Sequence, residues 1–202
     1  AIGHQAMDAC TNGAKNNVGV GNSALGACTG GDRNTAIGSN ALQNNTTAGD
    51  NVAVGSLAMA ANTTGTNNTA VGSYALDANT TGAQNISVGS GSLGANTTGD
   101  DNTAIGFNAL NANTTASDNT AVGSYALKNN TTGADNTAVG FRALDANTTA
   151  NNNTAVGLYA LSAVTTSGNN TCIGRDSGLK VEGNGNTGAG YRALGYANAS
   201  TG

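Results

Sequence analysis

Apolar and polar positions recur along this chain with a strict 17-residue period, from an Asn at position 17 to an Asn at position 170. Residues 68–84 (NTAVGSYALDANTTGAQ) typify the unit. With the leading Asn as position one, position four is always Val or Ile: Val20, Ile37, Val54, Val71, Val88, Ile105, Val122, Val139, Val156 and Ile173. Branching at Cβ favours extended backbone, so Asn-Thr-Ala-Val predicts a short strand with position four directed into the core. Gly follows at position five, from Gly21 to Gly174, where the chain must turn or pass close to a neighbouring backbone. Position nine is Leu in eight of the ten units, with Met59 and Gly178 as exceptions. A lone Leu per unit cannot bury itself, whereas Leu76, Leu93, Leu110, Leu127, Leu144 and Leu161 stacked in register form a continuous column.

The unit is too short for two helices, and its Gly and Asn-Thr-Thr oppose helix despite the Ala-Leu pairs. The pattern therefore predicts an all-β parallel β-solenoid, or β-roll, of 17-residue coils. A second strand is expected near Asn-Thr-Thr, with turns between the two. With about 4.8 Å between hydrogen-bonded strands, about eleven coils make a rod on the order of 50 Å long.

Position twelve is Asn at Asn45, Asn62, Asn79, Asn96, Asn113, Asn130 and Asn147, but Cys28 and Val164 replace it in two units. Alignment through Ile2, Gly3 and Met7 places Cys10 there as well. Asn, Cys and Val share a site only if it is enclosed and the amides satisfy one another, which predicts an internal Asn ladder. Alternation then turns position thirteen, from Thr46 to Thr148, outward as a threonine row. The regular repeats span residues 1–174. Residues 175–202 are expected to form an irregular terminal coil or the transition to a following segment, and the strand signal of residues 186–190 returns one residue early.

Composition narrows this picture. Aromatic residues are 3% of the 202 and charged residues 9%, so the core must be narrow and aliphatic. The net charge of -4 is spread along the chain, without a basic patch, which argues against nucleic acid as a partner. No apolar run is long enough to insert directly into a membrane. The mid-repeat start at Ala1 suggests a fragment or processed product.

Chemistry is sparse, and the chain is expected not to be an enzyme. A single histidine, His4, excludes a His cluster or a Ser-His-Asp triad, so no catalytic, cofactor-binding or metal residues are expected and the cofactor set is none. Cys10 and Cys28 occupy one position in adjacent coils; a disulfide needs their Cβ atoms to face each other, whereas in-register stacking favours two buried thiols. Asp50, Asp100, Asp101, Asp118 and Asp135 sit at the inter-coil turn without the dense acidic motif of a calcium roll, and read as solvated turn residues. Positions six and seven vary most. There Tyr74, Phe107, Tyr125, Phe141, Arg142 and Tyr159 are candidates for surface contact, whether with sugars, a receptor or another subunit.

The motif Asn-Thr-Ala-Val-Gly-x-x-Ala-Leu resembles the head repeats of YadA-like trimeric autotransporter adhesins. It is also similar to the Asn-Thr-Ala-Val-Gly and Asn-Thr-Thr-Gly arrays of phage and bacterial fibre proteins. The resemblance covers residues 1–194. It implies a left-handed parallel β-roll, assembled as a homotrimer and displayed extracellularly on a bacterial cell or virion, with a host-surface glycan or protein receptor. The adhesin coils are usually shorter and lack Asn-Thr-Thr. Ala70 and Ala75, at positions three and eight, suit either close subunit approach or a tight monomeric core. The expected function is a structural fibre or adhesin segment, a rigid rod for attachment or for presenting another domain; the alternative is an ice-binding β-solenoid using its threonine rows.

Overall fold

A computed structural model describes residues 1–10, 13–179 and 181–195. It contains eleven three-residue strands: β1 (Val18–Val20), β2 (Thr35–Ile37), β3 (Val52–Val54), β4 (Thr69–Val71), β5 (Ile86–Val88), β6 (Thr103–Ile105), β7 (Thr120–Val122), β8 (Thr137–Val139), β9 (Thr154–Val156), β10 (Thr171–Ile173) and β11 (Thr187–Ala189). They form one parallel sheet in chain order. Each residue pairs with its equivalent one coil away, as in Thr69↔Ile86, Ala70↔Ser87 and Val71↔Val88. A bridge from Ile2 to Val20 adds the partial first unit in the same register. The fold is an all-β parallel solenoid, and no helix occurs among the described residues.

Gly at position five ends each strand for two reasons. At Gly72 φ is +138°, and an added Cβ would lie 2.6 Å from the carbonyl carbon of Gly89. Beyond it, positions seven and nine adopt left-handed backbone even when occupied by Tyr74 (φ 57°) and Leu76 (φ 53°). Such conformations cost about 1–2 kcal/mol per residue, which the full burial of Leu76 offsets. Coil-to-coil hydrogen bonding continues through these turns: the Leu76 amide donates to Ser92 O at 3.0 Å, and Tyr74 N to Ser56 O at 3.0 Å.

Two expectations are corrected. Position four is not inside. In β4 the burial pattern is intermediate, buried, exposed: Ala70 points inward, while Thr69 and Val71 point out. The interior between the sheet and the Leu column is so shallow that only small residues fit, and Ala70 and Ala75 are both fully buried. They build the coil's own core rather than a surface for subunit approach.

Asn-Thr-Thr, expected to carry the second strand, forms none. From position twelve to the next position one, every third residue is buried, as at Asn62, Gly65 and Asn68. Alternation therefore fails there, although Thr63 N still donates to Thr80 O at 3.0 Å in the next coil.

The core is polar on one side. The Leu column, continued by Met59, is fully buried. Beside it runs the expected ladder at position twelve, where Asn79 Nδ2 donates to Asn62 Oδ1 at 2.9 Å and to its own coil's Gly82 O at 2.9 Å. A second, unanticipated ladder uses the leading Asn. Asn68 N donates to Asn51 Oδ1 at 2.9 Å, and Asn68 Nδ2 reaches the same Gly82 O at 2.8 Å. Two carboxamides thus converge on one carbonyl, at position fifteen.

At the C-terminal end, Asn186 continues this second ladder after a 16-residue step, with its Nδ2 2.9 Å from Asn170 Oδ1. Val181 takes position twelve and is buried in the core. Of the segment expected to be irregular, 175–202, residues 180 and 196–202 lie outside the described residues.

Candidate functional site

The turn side is built from positions sixteen and seventeen. At position sixteen an Asp or Asn caps the preceding coil: Asp100 Oδ1 accepts from Ala83 N at 2.7 Å, and Asn151 Oδ1 from Ala134 N at 2.7 Å. Position seventeen is left-handed, as at Asp50 (φ 61°), Asp118 (φ 62°) and Asp135 (φ 59°), which explains the abundance of Asp and Asn there. These aspartates are therefore conformational and capping residues. Among the described residues, no group of three or more His, Cys, Asp or Glu is placed to hold a metal ion. Arg33 makes a two-pronged ion pair with Asp50, at 2.6 and 2.7 Å, and holds its carboxyl below the usual range.

The cysteines are free thiols. Cys28 Sγ lies 3.5 Å from Gly31 O, taking the place of the Asn donor to the position-fifteen carbonyl. Burial and the adjacent Cys28 thiol push Cys10 up to about 12. Burial also raises Cys172, which points inward from β10. His4 is exposed.

Position thirteen is half-buried, and its hydroxyls are engaged: Thr63 Oγ1 donates to Thr80 O at 3.0 Å and Thr97 Oγ1 to Thr114 O at 3.0 Å. The outward β-branched grid lies instead on the sheet, in rows such as Thr69–Val71 and Thr103–Ile105, with Val71 37% and Ile105 40% exposed.

Four of the six residues singled out at positions six and seven form an edge-to-face stack across successive coils. Ring centroids are 5.4 Å apart for Phe107 and Tyr125, 6.1 Å for Tyr125 and Phe141, and 5.7 Å for Phe141 and Tyr159. Arg142 lies against this stack, its guanidinium carbon 5.5 Å from the Tyr125 ring centre and 5.6 Å from that of Phe141. Lys128, not among the anticipated residues, places Nζ 5.4 Å from the Tyr125 ring centre. Tyr74 is exposed but apart, because Ser90 and Gly91 fill these positions in the following coil. Further on, Arg175 and Arg192 flank the Tyr191 ring at 5.9 and 5.1 Å.

No helix among the described residues is long and apolar enough to cross a membrane. Compared with family models, curated proteins and solved structures, the chain matches none.

Proposed function

We infer that this segment is a structural, non-enzymatic rod of a surface-displayed fibre, which attaches to a surface or holds another domain away from one. What supports the reading is the unbroken register of eleven parallel strands, with the coils braced by the leading-Asn column throughout and by the Leu and position-twelve Asn columns along most of the rod. The same rows of exposed Val and Ile that leave the sheet unpartnered suit self-association. The resemblance to trimeric adhesin heads adds a homotrimer and an extracellular location on a bacterial cell or virion.

Light scattering after size exclusion tests the assembly. Three times the chain mass is expected, falling to one on Val88→Lys with Val122→Lys, and a wild-type monomer at high concentration removes the trimer. Adhesion of the fluorescently labelled rod to host cells tests attachment. A second reading, ice binding, gains from the outward Thr and β-branched grid on the sheet rather than from position thirteen. Absence of both thermal hysteresis and inhibition of ice recrystallisation eliminates it.

A further inference from the structure

We propose that the stack of Phe107, Tyr125, Phe141 and Tyr159, with Arg142 and Lys128, is a binding site for an extended acidic polysaccharide. This rests on the attachment reading and names the chemistry that the rod would hold.

Three observations carry it. The two phenylalanines of the stack are exposed to a ligand lying along the rod, Phe107 48% and Phe141 39% accessible, and Tyr125 and Tyr159 beside them are half-buried. Phe107 and Phe141 occupy the same position two coils apart, hence about 9.6 Å, close to the length of a disaccharide. The two rings would meet alternate sugars of one chain through their apolar C–H faces.

The second observation is charge. The chain carries -4 overall, yet Lys128 and Arg142 lie against the stack and Arg175 and Arg192 against Tyr191 further along the same row, with Asp145 and Asp176 among them. Asp176 is engaged by Arg175 and Arg192 at 3.3 and 3.7 Å, and burial raises the Asp145 carboxyl against the weaker lowering pull of Arg142 and Lys128. Arg142 is held against two rings while remaining exposed, so its donors stay available to a carboxylate or sulfate.

The third is extent. A surface for like copies should run the length of the solenoid, as the Val and Ile rows do, whereas the aromatic stack occupies four coils only.

Neighbouring coils supply conservative variants, because position six is Ser at Ser73 and Ser124, and position seven is Asn at Asn40 and Asn108. Calorimetric titration with polyguluronate oligosaccharides and with neutral cello-oligosaccharides of equal length is the test. Polyguluronate should bind more tightly than the neutral chain and weaken with added salt. Arg142→Asn and the pair Phe107→Ser, Phe141→Ser should each weaken it by about tenfold or more, the loss of one charge-assisted or stacking contact. Absence of binding by the wild type, or unchanged affinity in both variants, overturns the site. A drop in the oligomer mass of these variants also overturns it, by making the strip a contact between copies. Cell adhesion separates the two readings: wild-type adhesion without polyguluronate binding removes the glycan site and leaves attachment standing, while polyguluronate binding without any wild-type adhesion does the reverse.

Discussion

Replacing Asn96 by Val should reproduce, in the middle of the rod, a defect that the chain already carries near one end. Asn96 is fully buried and makes three hydrogen bonds: Nδ2 donates to Asn79 Oδ1 at 3.0 Å and to Gly99 O at 3.0 Å, and Oδ1 accepts from Asn113 Nδ2 at 2.9 Å. Val164 shows the consequence of losing them. Asn147 Oδ1, which would have accepted from that position, is buried without a partner, and in the same coil as Val164 the buried Asn153 Nδ2 also has none. Ser167, at position fifteen, is correspondingly half-exposed where Gly82, Gly99 and Ala150 are buried. Removing Asn96 leaves Asn79 Oδ1 and one N–H of Asn113 unpaired; at about 1–3 kcal/mol each, less about 1.5 kcal/mol returned by the added apolar burial, the net loss is about 0.5–4.5 kcal/mol. Asn96→Cys should lose less, because Cys28 keeps a contact with its position-fifteen carbonyl at 3.5 Å. The effect is local in a stacked array, so amide exchange at Thr97 and Thr114 is the appropriate measurement, alongside urea unfolding. Exchange in the Val variant should accelerate by about tenfold or more, since 1.4 kcal/mol is a factor of ten. Exchange within twofold of wild type, or a Cys variant weaker than the Val variant, refutes the account.

Gly72→Ala meets both a left-handed φ of +138° and the Gly89 carbonyl group, and should open the adjoining coils at a cost of about 3 kcal/mol or more, read as a lowered melting temperature and local exchange. Burial raises the Asp77 carboxyl, so the folded state holds this proton more firmly than the unfolded one. The stability is therefore greatest below the unfolded carboxyl's ordinary range and declines as pH rises through the folded value; Asp77→Asn should raise the urea midpoint at pH 7 and leave it unchanged at pH 2.5. A thiol-specific reagent at pH 8 should leave Cys10, Cys28 and Cys172 unmodified until denaturant is added, because all are buried or half-buried and Cys10 is raised to about 12. Fast labelling of Cys28 in the native state contradicts its place in the ladder.

Spacing alone made the solenoid, the Leu column and the position-twelve Asn ladder legible, because a residue repeated every 17 positions meets itself when coils stack. Direction within a coil was harder to read. Val71 has the character of a core residue, but a three-residue strand bracketed by Asn68 and Gly72 has one inward site, and the width of the coil assigns it to Ala70. The sequence hint was the uniform smallness of position three, where Ser87 and Cys172 are the bulkiest substitutes. Asn-Thr-Thr suggested alternation, yet the two carboxamides that bind Gly82 O require positions twelve, fifteen and one to face inward together. The leading Asn never varies from Asn17 to Asn170, so no substitution marked it as enclosed. Of the six candidate contact residues, four stack and Arg142 lies upon them, while Tyr74 stands alone, a distinction that depends on which coils are adjacent.

The two Asn columns also differ in how they end. In the position-twelve column each Nδ2 donates to the preceding coil, so an Oδ1 is left at the last member however many coils are added. Asn147 is that member, and Val164 followed by Val181 replaces the amide column with an apolar one. Restoring Asn at Val164 alone would satisfy Asn147 and place the same orphan one coil further, against Val181. In the leading-Asn column the donor is mainly the backbone amide, and Asn186 still supplies it to Asn170 Oδ1 at 2.9 Å across the shortened coil. A backbone donor persists through any change of side chain except to Pro, whereas a side-chain donor does not. The leading-Asn column can therefore run on into the irregular coil, and the position-twelve column must terminate before it.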